Sequence, residues 1–252
     1  MGDILVEVRD HVRVVTIQNE KKRNAVNRAM EQALLDALVG ADNDPDARVV
    51  VITGAGDVAF CSGHDLSEVA GPGRSISPDP MGTPGRMRKP VIAAVNGHCH
   101  AAGLMMALSC DIRVASENAV FGQPAVKLGQ LPMGGQIWKL ATLMSRSHGI
   151  EMMLTGDTLT AAQAFAFGLV THLVPVGDAL SEAMTIADKI ARGSPASVMA
   201  IKEGVKRFQM EGTQDFDTFE QETFGRMKAG PDFAEGARAF IERRAPRFVG
   251  SA

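Results

Sequence analysis

Residues 91–111, VIAAVNGHCHAAGLMMALSCD, decide the fold. The apolar run at 91–95 has the length and β-branched content of a buried strand, and Asn96-Gly97 stops it. A turn of small residues follows, and then an apolar helix over about 102–110. The first amides of a helix have no intrahelical acceptor. With the positive end of the helix dipole they suit an oxygen that gains negative charge during a reaction. Ala101, Ala102 and Gly103 keep the approach to those amides open. Taken alone, the pattern better fits an ordinary strand, turn and helix.

A second stretch, VVVITGAGDVAFCSGHDL at 49–66, adds a partner. A buried strand at 49–53 enters a glycine-rich loop and then Phe60-Cys61-Ser62-Gly63-His64-Asp65-Leu66. Gly63 permits a backbone turn that presents the N–H of His64. Two such donors, one from each loop, make an oxyanion hole. On residues 60–66 and on KPVIAAVNG at 89–97, the chain resembles the enoyl-CoA hydratase/isomerase family, the crotonase superfamily. Cys110-Asp111-Ile112, Phe121-Gly122-Gln123-Pro124, Leu154-Thr155-Gly156, AAQAFAFGLVTHLVP at 161–175 and FIERRAPRF at 240–248 extend the match over nearly the whole chain.

Composition bounds the class. The 252 residues suffice for one α/β domain with a large core and a small helical appendage. A formal charge of −3 argues against a nucleic-acid surface. No apolar run reaches membrane-spanning length, and the N-terminus lacks a signal-peptide pattern. Cys61, Cys99 and Cys110 have no framework spacing, read as small buried side chains, and fit a reducing, cytoplasmic setting. There is no tyrosine to act as acid or base, and no Walker loop, zinc spacing or nucleophile elbow, so no metal is expected.

Along the chain, residues 4–17 read as a hairpin and 27–42 as an amphipathic helix carrying Met30, Leu34, Leu38 and Ala41. Strand-like runs recur at 111–115 and 173–174. Helices are expected at 179–192, 195–210, 214–228 and 233–243. Residues 71–86, rich in Gly, Pro and Ser, read as mobile. Alternating strands and helices followed by a helical tail indicate α/β architecture. The resemblance implies more: a crotonase-like spiral of ββα units over 1–190, and a C-terminal helical region over 191–252 that packs on a partner in a homotrimer or dimer of trimers. The phenylalanines Phe216, Phe219, Phe224, Phe233 and Phe240 suit such an interface.

The resemblance also implies an acyl-CoA thioester as substrate, with no covalently bound cofactor. Its carbonyl oxygen would lie between the backbone N–H groups of His64 and Ala102. Arg23 would lie near the nucleotide, with Lys21 and Lys22 as possible phosphate contacts and Arg243 and Arg244 as weaker candidates. Ala59, Phe60, Cys61, Ser62 and Gly63 would line the adenine and pantetheine path. Asp65 and Leu66 belong to the same loop, where Asp65 is expected to hold the loop rather than react.

The departures matter more. Hydratases of this family activate water with two glutamates, and those positions here hold Met105 and Ala125. A third position used for acid chemistry in other members falls at Met133. None of these side chains moves a proton. His100 is the remaining acid/base candidate, beside His98, and Gln123, Gln130 and Gln136 can orient water without acting as bases. The expected protein is therefore an acyl-CoA enzyme that stabilises a thioester enolate or oxyanion and is not an efficient hydratase. Isomerisation, decarboxylation and hydrolysis stay open, as do a non-catalytic acyl-CoA binder and a hydratase using substitute residues.

Overall fold

The computed structural model describes residues 2–65, 80–211 and 216–250. Strands and helices are numbered separately in chain order. The larger sheet has six strands: β1 (Asp3–Arg9), β2 (Val12–Gln18), β3 (Val49–Gly54), β5 (Val91–Val95), β7 (Ile112–Ser116) and β10 (His172–Val174), in the order β1-β2-β3-β5-β7-β10. The expected hairpin is β1 with β2, antiparallel from Asp3 opposite Gln18 to Arg9 opposite Val12. Asp10 takes φ 50° in its turn, a conformation that aspartate tolerates. The other pairings are parallel.

Every residue of β3 and β5 is buried, which is why both read as unbroken apolar runs. Their side chains alternate between two cores. Val50 and Ile52 face α1 (Arg28–Asn43) and α2 (Ala102–Ser109), with Met30, Leu34, Leu38, Leu104 and Met106. Val49, Val51, Ile92 and Ala94 face Ala183, Ile186 and Ala187 of α6 (Ala179–Ala191). The Asn27 side chain accepts from the Met30 N–H at 2.9 Å and starts α1.

The smaller sheet is a correction to the sequence reading. β4 (Ala59–Cys61), β6 (His98–His100), β8 (Val120–Gly122) and β9 (Thr158–Thr160) form it, in the order β4-β6-β8-β9. Each strand is too short for a period of two to show. The supposed turn after Gly97 therefore contains β6, with Cys99 buried and His98 and His100 on the other face. Two buried asparagines hold the passage from β3 to β4. Asn96 Nδ2 donates to Gly54 O at 2.9 Å and Ala59 O at 3.3 Å, and Asn24 Nδ2 donates to Ala55 O at 3.0 Å and Ala59 O at 2.7 Å.

Residues 80–86 are a second correction. They form a 3-10 helix, Pro80–Arg86, with Met81, Thr83 and Pro84 buried, so a segment expected to move is packed against the core. Residues 66–79, which carry Leu66, Glu68 and most of the segment expected to be mobile, lie outside the described residues.

Between α2 and α6 come α3 (Gln136–Leu143), α4 (Arg146–Thr155) and α5 (Ala161–Ala166), whose N-terminus is a capping box of Thr160 and Gln163. The C-terminal third is helical as expected: α7 (Pro195–Glu211), α8 (Phe216–Ala229) and α9 (Pro231–Ile241). Lys202 fixes α7 to the body, donating to Pro84 O at 3.0 Å, Lys89 O at 2.9 Å and Asp111 Oδ2 at 2.8 Å.

Candidate active site

The start of α2 is bent by one residue. Ala101 has φ 50° and ψ −116°, outside the regions that L-residues favour. Its N–H donates to Gly122 O at 3.0 Å, and its carbonyl accepts from Met105 N–H at 3.0 Å. This conformation lets β6 pass directly into α2 and makes the Ala102 N–H the first of the helix, with no side-chain cap. Strain of this kind costs about 1–3 kcal/mol and persists where the surroundings over-determine it. Replacing Ala101 with glycine is expected to leave urea stability equal or higher, because glycine tolerates positive φ. Replacing it with valine is expected to lower stability by at least about 1–3 kcal/mol. Equal urea midpoints for the two variants would remove the strain argument.

The 60–65 loop faces this turn. Gly63 has φ +104°, and a Cβ built on it would lie 3.2 Å from Ala102 N and 3.2 Å from Ala101 Cβ. Val26 N–H donates to Gly63 O, and Asp65 N–H donates to Val26 O, both at 2.9 Å. That is the parallel bridge of Val26 with His64, in which the His64 N–H is directed away from Val26. The His64 imidazole Nδ1 lies 2.7 Å from Glu31 Oε1 of α1. Its side chain is thus committed to α1, while its backbone stays in the loop beside Ala102.

The rest of the loop holds that position. Asp65, buried, pairs with Lys22 Nζ at 2.5 Å, and Ser62 N–H donates to Arg23 O at 3.1 Å. Ala59, Phe60 and Cys61 are buried, so any ligand along them meets backbone more than side chain. Burial pushes the Cys61 and Cys110 thiols up to about 12 and the Cys99 thiol well above its usual value, which leaves all three unreactive. Gly103 has no room for a side chain, since a Cβ there would meet Cys61 O at 2.0 Å. Arg23 is exposed, with a left-handed backbone at φ 52°. Arg244 pairs with Glu235 and Glu242, each at 2.6 Å.

Met105 lies one turn along α2 from Ala102 and is buried, with its sulfur over Gly134. Ala125, also buried, begins a 3-10 turn, Ala125–Leu128, and its N–H donates to Gln123 Oε1. Gln123 Nε2 donates to Gln136 Oε1, and Gln136 Nε2 donates to Met133 O at 3.0 Å. The structure thus joins two of the three glutamines of the sequence reading, while the Met133 side chain is 63% exposed.

His100 lies against Gly122: a Cβ on that glycine would be 2.7 Å from the ring. Its Nε2 and the Nδ1 of His98 are buried and make no hydrogen bond among the described residues. Burial, the neighbouring His98 and Arg23 push the His100 pKa down to about 4, so the ring is neutral near pH 7 and a weak base, since protonating it there is disfavoured. The unfolded chain, with the ordinary value of 6.5, binds the proton more readily. Stability is therefore fully present above pH 6.5 and falls as pH drops through 6.5 toward about 4. His100→Gln should flatten that slope in urea titrations across this window. An unchanged slope would remove His100 as its source.

A mixed α/β, crotonase-like architecture with a helical C-terminal region defines the class. The family model for enoyl-CoA hydratase/isomerase matches residues 7–251. The chain belongs to the enoyl-CoA hydratase/isomerase family and is an acyl-CoA enzyme of that family. It is 37% identical to enoyl-CoA hydratase EchA19 of Mycobacterium tuberculosis, with 98% of this chain and 96% of the relative covered. It is 35% identical to a short-chain-enoyl-CoA hydratase of Clostridium acetobutylicum, with 97% and 96% covered. The crystal structure of an enoyl-CoA hydratase from M. tuberculosis H37Rv superposes with a TM-score of 0.93 at 35% identity, covering 99% of each chain.

Proposed function

We propose that this enzyme holds the carbonyl oxygen of an acyl-CoA thioester between the backbone N–H groups of His64 and Ala102, and stabilises the enolate or oxyanion formed there. The observation that carries the reading is the approach of Gly63 to Ala102 N, with the His64 N–H directed away from Val26. Residues 59–65 and Arg23 form the CoA side of the site, within a core spanning 1–190 that the helices of 191–252 complete. Backbone donors aimed at developing charge are worth about 3–4 kcal/mol each and need no particular side chain. With Met105 and Ala125 where the family's hydratases carry glutamates, the same site stabilises charge without activating water. His100 is the residual candidate base.

The direct test is a β-ketoacyl-CoA such as acetoacetyl-CoA, which ionises to an enolate that absorbs in the near ultraviolet. Binding should shift its ionisation toward the enolate. Tight binding with no spectral change would leave a CoA binder and remove the oxyanion hole.

We further propose a cytoplasmic homotrimer or dimer of trimers. Ile201, Val205 and Phe208 make an exposed apolar stripe on α7, and Phe224 and Phe233 are exposed on α8 and α9. Exposed apolar helix faces commonly become subunit interfaces. Sedimentation at micromolar concentration should give a trimer or its multiple, and a monomer would refute this.

A further inference from the structure

Beyond Met105 lies an open cleft of about 900 Å³ between α2, α3, the 80–86 helix and α7, its outer rim formed by Ile201 and Val205 of the exposed α7 stripe. Its walls are apolar at Met105, Leu108, Trp138 and Val205, but its charged groups are mostly cations. Arg113 of β7 is buried and spent on the carbonyls of Ala107, Cys110 and Leu169. Lys202 is spent on Asp111 and two carbonyls. Lys139 of α3 is not spent in this way. Its Nζ donates to Ser109 Oγ at 2.7 Å and lies 5.6 Å from the Trp138 ring centroid, and no carboxylate meets it among the described residues. Burial lowers its pKa, and Arg86 and Arg113 act in the same direction. A half-buried ammonium with no counter-charge is costly unless a ligand supplies one.

Ser109 and Lys139 resemble a nucleophile with its base, but the position excludes that use at the thioester. Ser109 Oγ already donates to Met105 O at 2.8 Å. It also lies seven residues along α2 from Ala102, a separation of about 10 Å at 1.5 Å per residue. Ala102, Met105 and Ser109 share one face of the helix, so α2 acts as a ruler from the carbonyl-binding amides to the ammonium.

We propose that Lys139 is a specificity-determining residue that binds a carboxylate at the far end of the acyl chain, making the preferred substrate a medium-length ω-carboxyacyl-CoA. The proposal rests on the acyl-CoA reading above and adds the chemistry of the distal group. The chain would run from the amides of His64 and Ala102, past Met105, into the cleft. The Lys139 ammonium would donate to its terminal carboxylate while keeping Ser109 as a second partner. A charge-assisted hydrogen bond to a half-buried ammonium is among the stronger polar contacts, and a neutral methyl end would leave the ammonium uncompensated.

The test compares trans-2-octenoyl-CoA with trans-2-octenedioyl-CoA, its ω-carboxy counterpart, by calorimetric titration of the full-length protein. Wild type should bind the dicarboxylic thioester at least about 10-fold more tightly, a difference equal to about 1.4 kcal/mol. Lys139→Gln should abolish that preference without weakening the octenoyl thioester, and Lys139→Arg, which keeps the charge, should retain most of it. A wild type with no preference, or a Lys139→Gln variant that weakens both thioesters equally, overturns the role of Lys139 and leaves the acyl-CoA reading standing. Failure of wild type to bind either thioester overturns both.

Discussion

Gly63→Ala will lower turnover of any acyl-CoA the enzyme processes by at least about 10²-fold and suppress the enolate signal of bound acetoacetyl-CoA, with the fold retained. The added methyl would sit 3.2 Å from Ala102 N, beside an amide proposed to hold the thioester oxygen. The neighbours would have to give by a few tenths of an ångström, and they include Ala101, which is already in an unfavourable conformation. The backbone at φ +104° is also poorly suited to any L side chain, which adds about 1–3 kcal/mol of strain. Circular dichroism and a urea titration separate that stability cost from the loss of chemistry. A folded variant with wild-type turnover and an intact enolate signal would show that the carbonyl binds elsewhere.

Hydration of crotonyl-CoA is expected to run at least about 10²-fold below that of a family hydratase carrying both glutamates. Met105 and Ala125 provide no group that can deprotonate or orient water. Two carboxylates acting on one water would form a cooperating unit, so the expected effects of lacking them need not multiply. The readout is kcat/KM measured side by side. Comparable values would refute the claim, and loss of that activity in His100→Ala but not His98→Ala would then identify the substitute base. Installing Met105→Glu with Ala125→Glu should restore at most part of the activity. Met105 is packed over Gly134, and the Ala125 turn is held by the Gln123–Gln136 pair, so two carboxylates would enter a site shaped for apolar groups.

The sequence made the larger sheet legible where burial is complete. β3 and β5 bury every side chain, so their composition alone announces them, and α1 shows its stripe of Met30, Leu34 and Leu38. The smaller sheet was hidden because three-residue strands carry no period, and because His98-Cys99-His100 has the look of a turn. The 80–86 segment misled for a different reason. Glycine and proline mark the absence of regular helix, but Met81 and Pro84 still bury a packed 3-10 turn. At the site, the loop and turn residues were readable from their order in the chain. The Lys139–Ser109 contact was not, since 30 residues separate the pair and neither belongs to a motif. The bent backbone of Ala101 gave no signal either, as alanine does not advertise positive φ.

The way Lys202 fastens α7 has an evolutionary corollary. Two of its three acceptors are main-chain carbonyls, of Pro84 and Lys89, which any residue at those positions would present. The attachment is thus largely indifferent to the identity of its seat. Substitutions at either position would leave those two hydrogen bonds in place, so the helix keeps its address on the body while the side chains beneath it change.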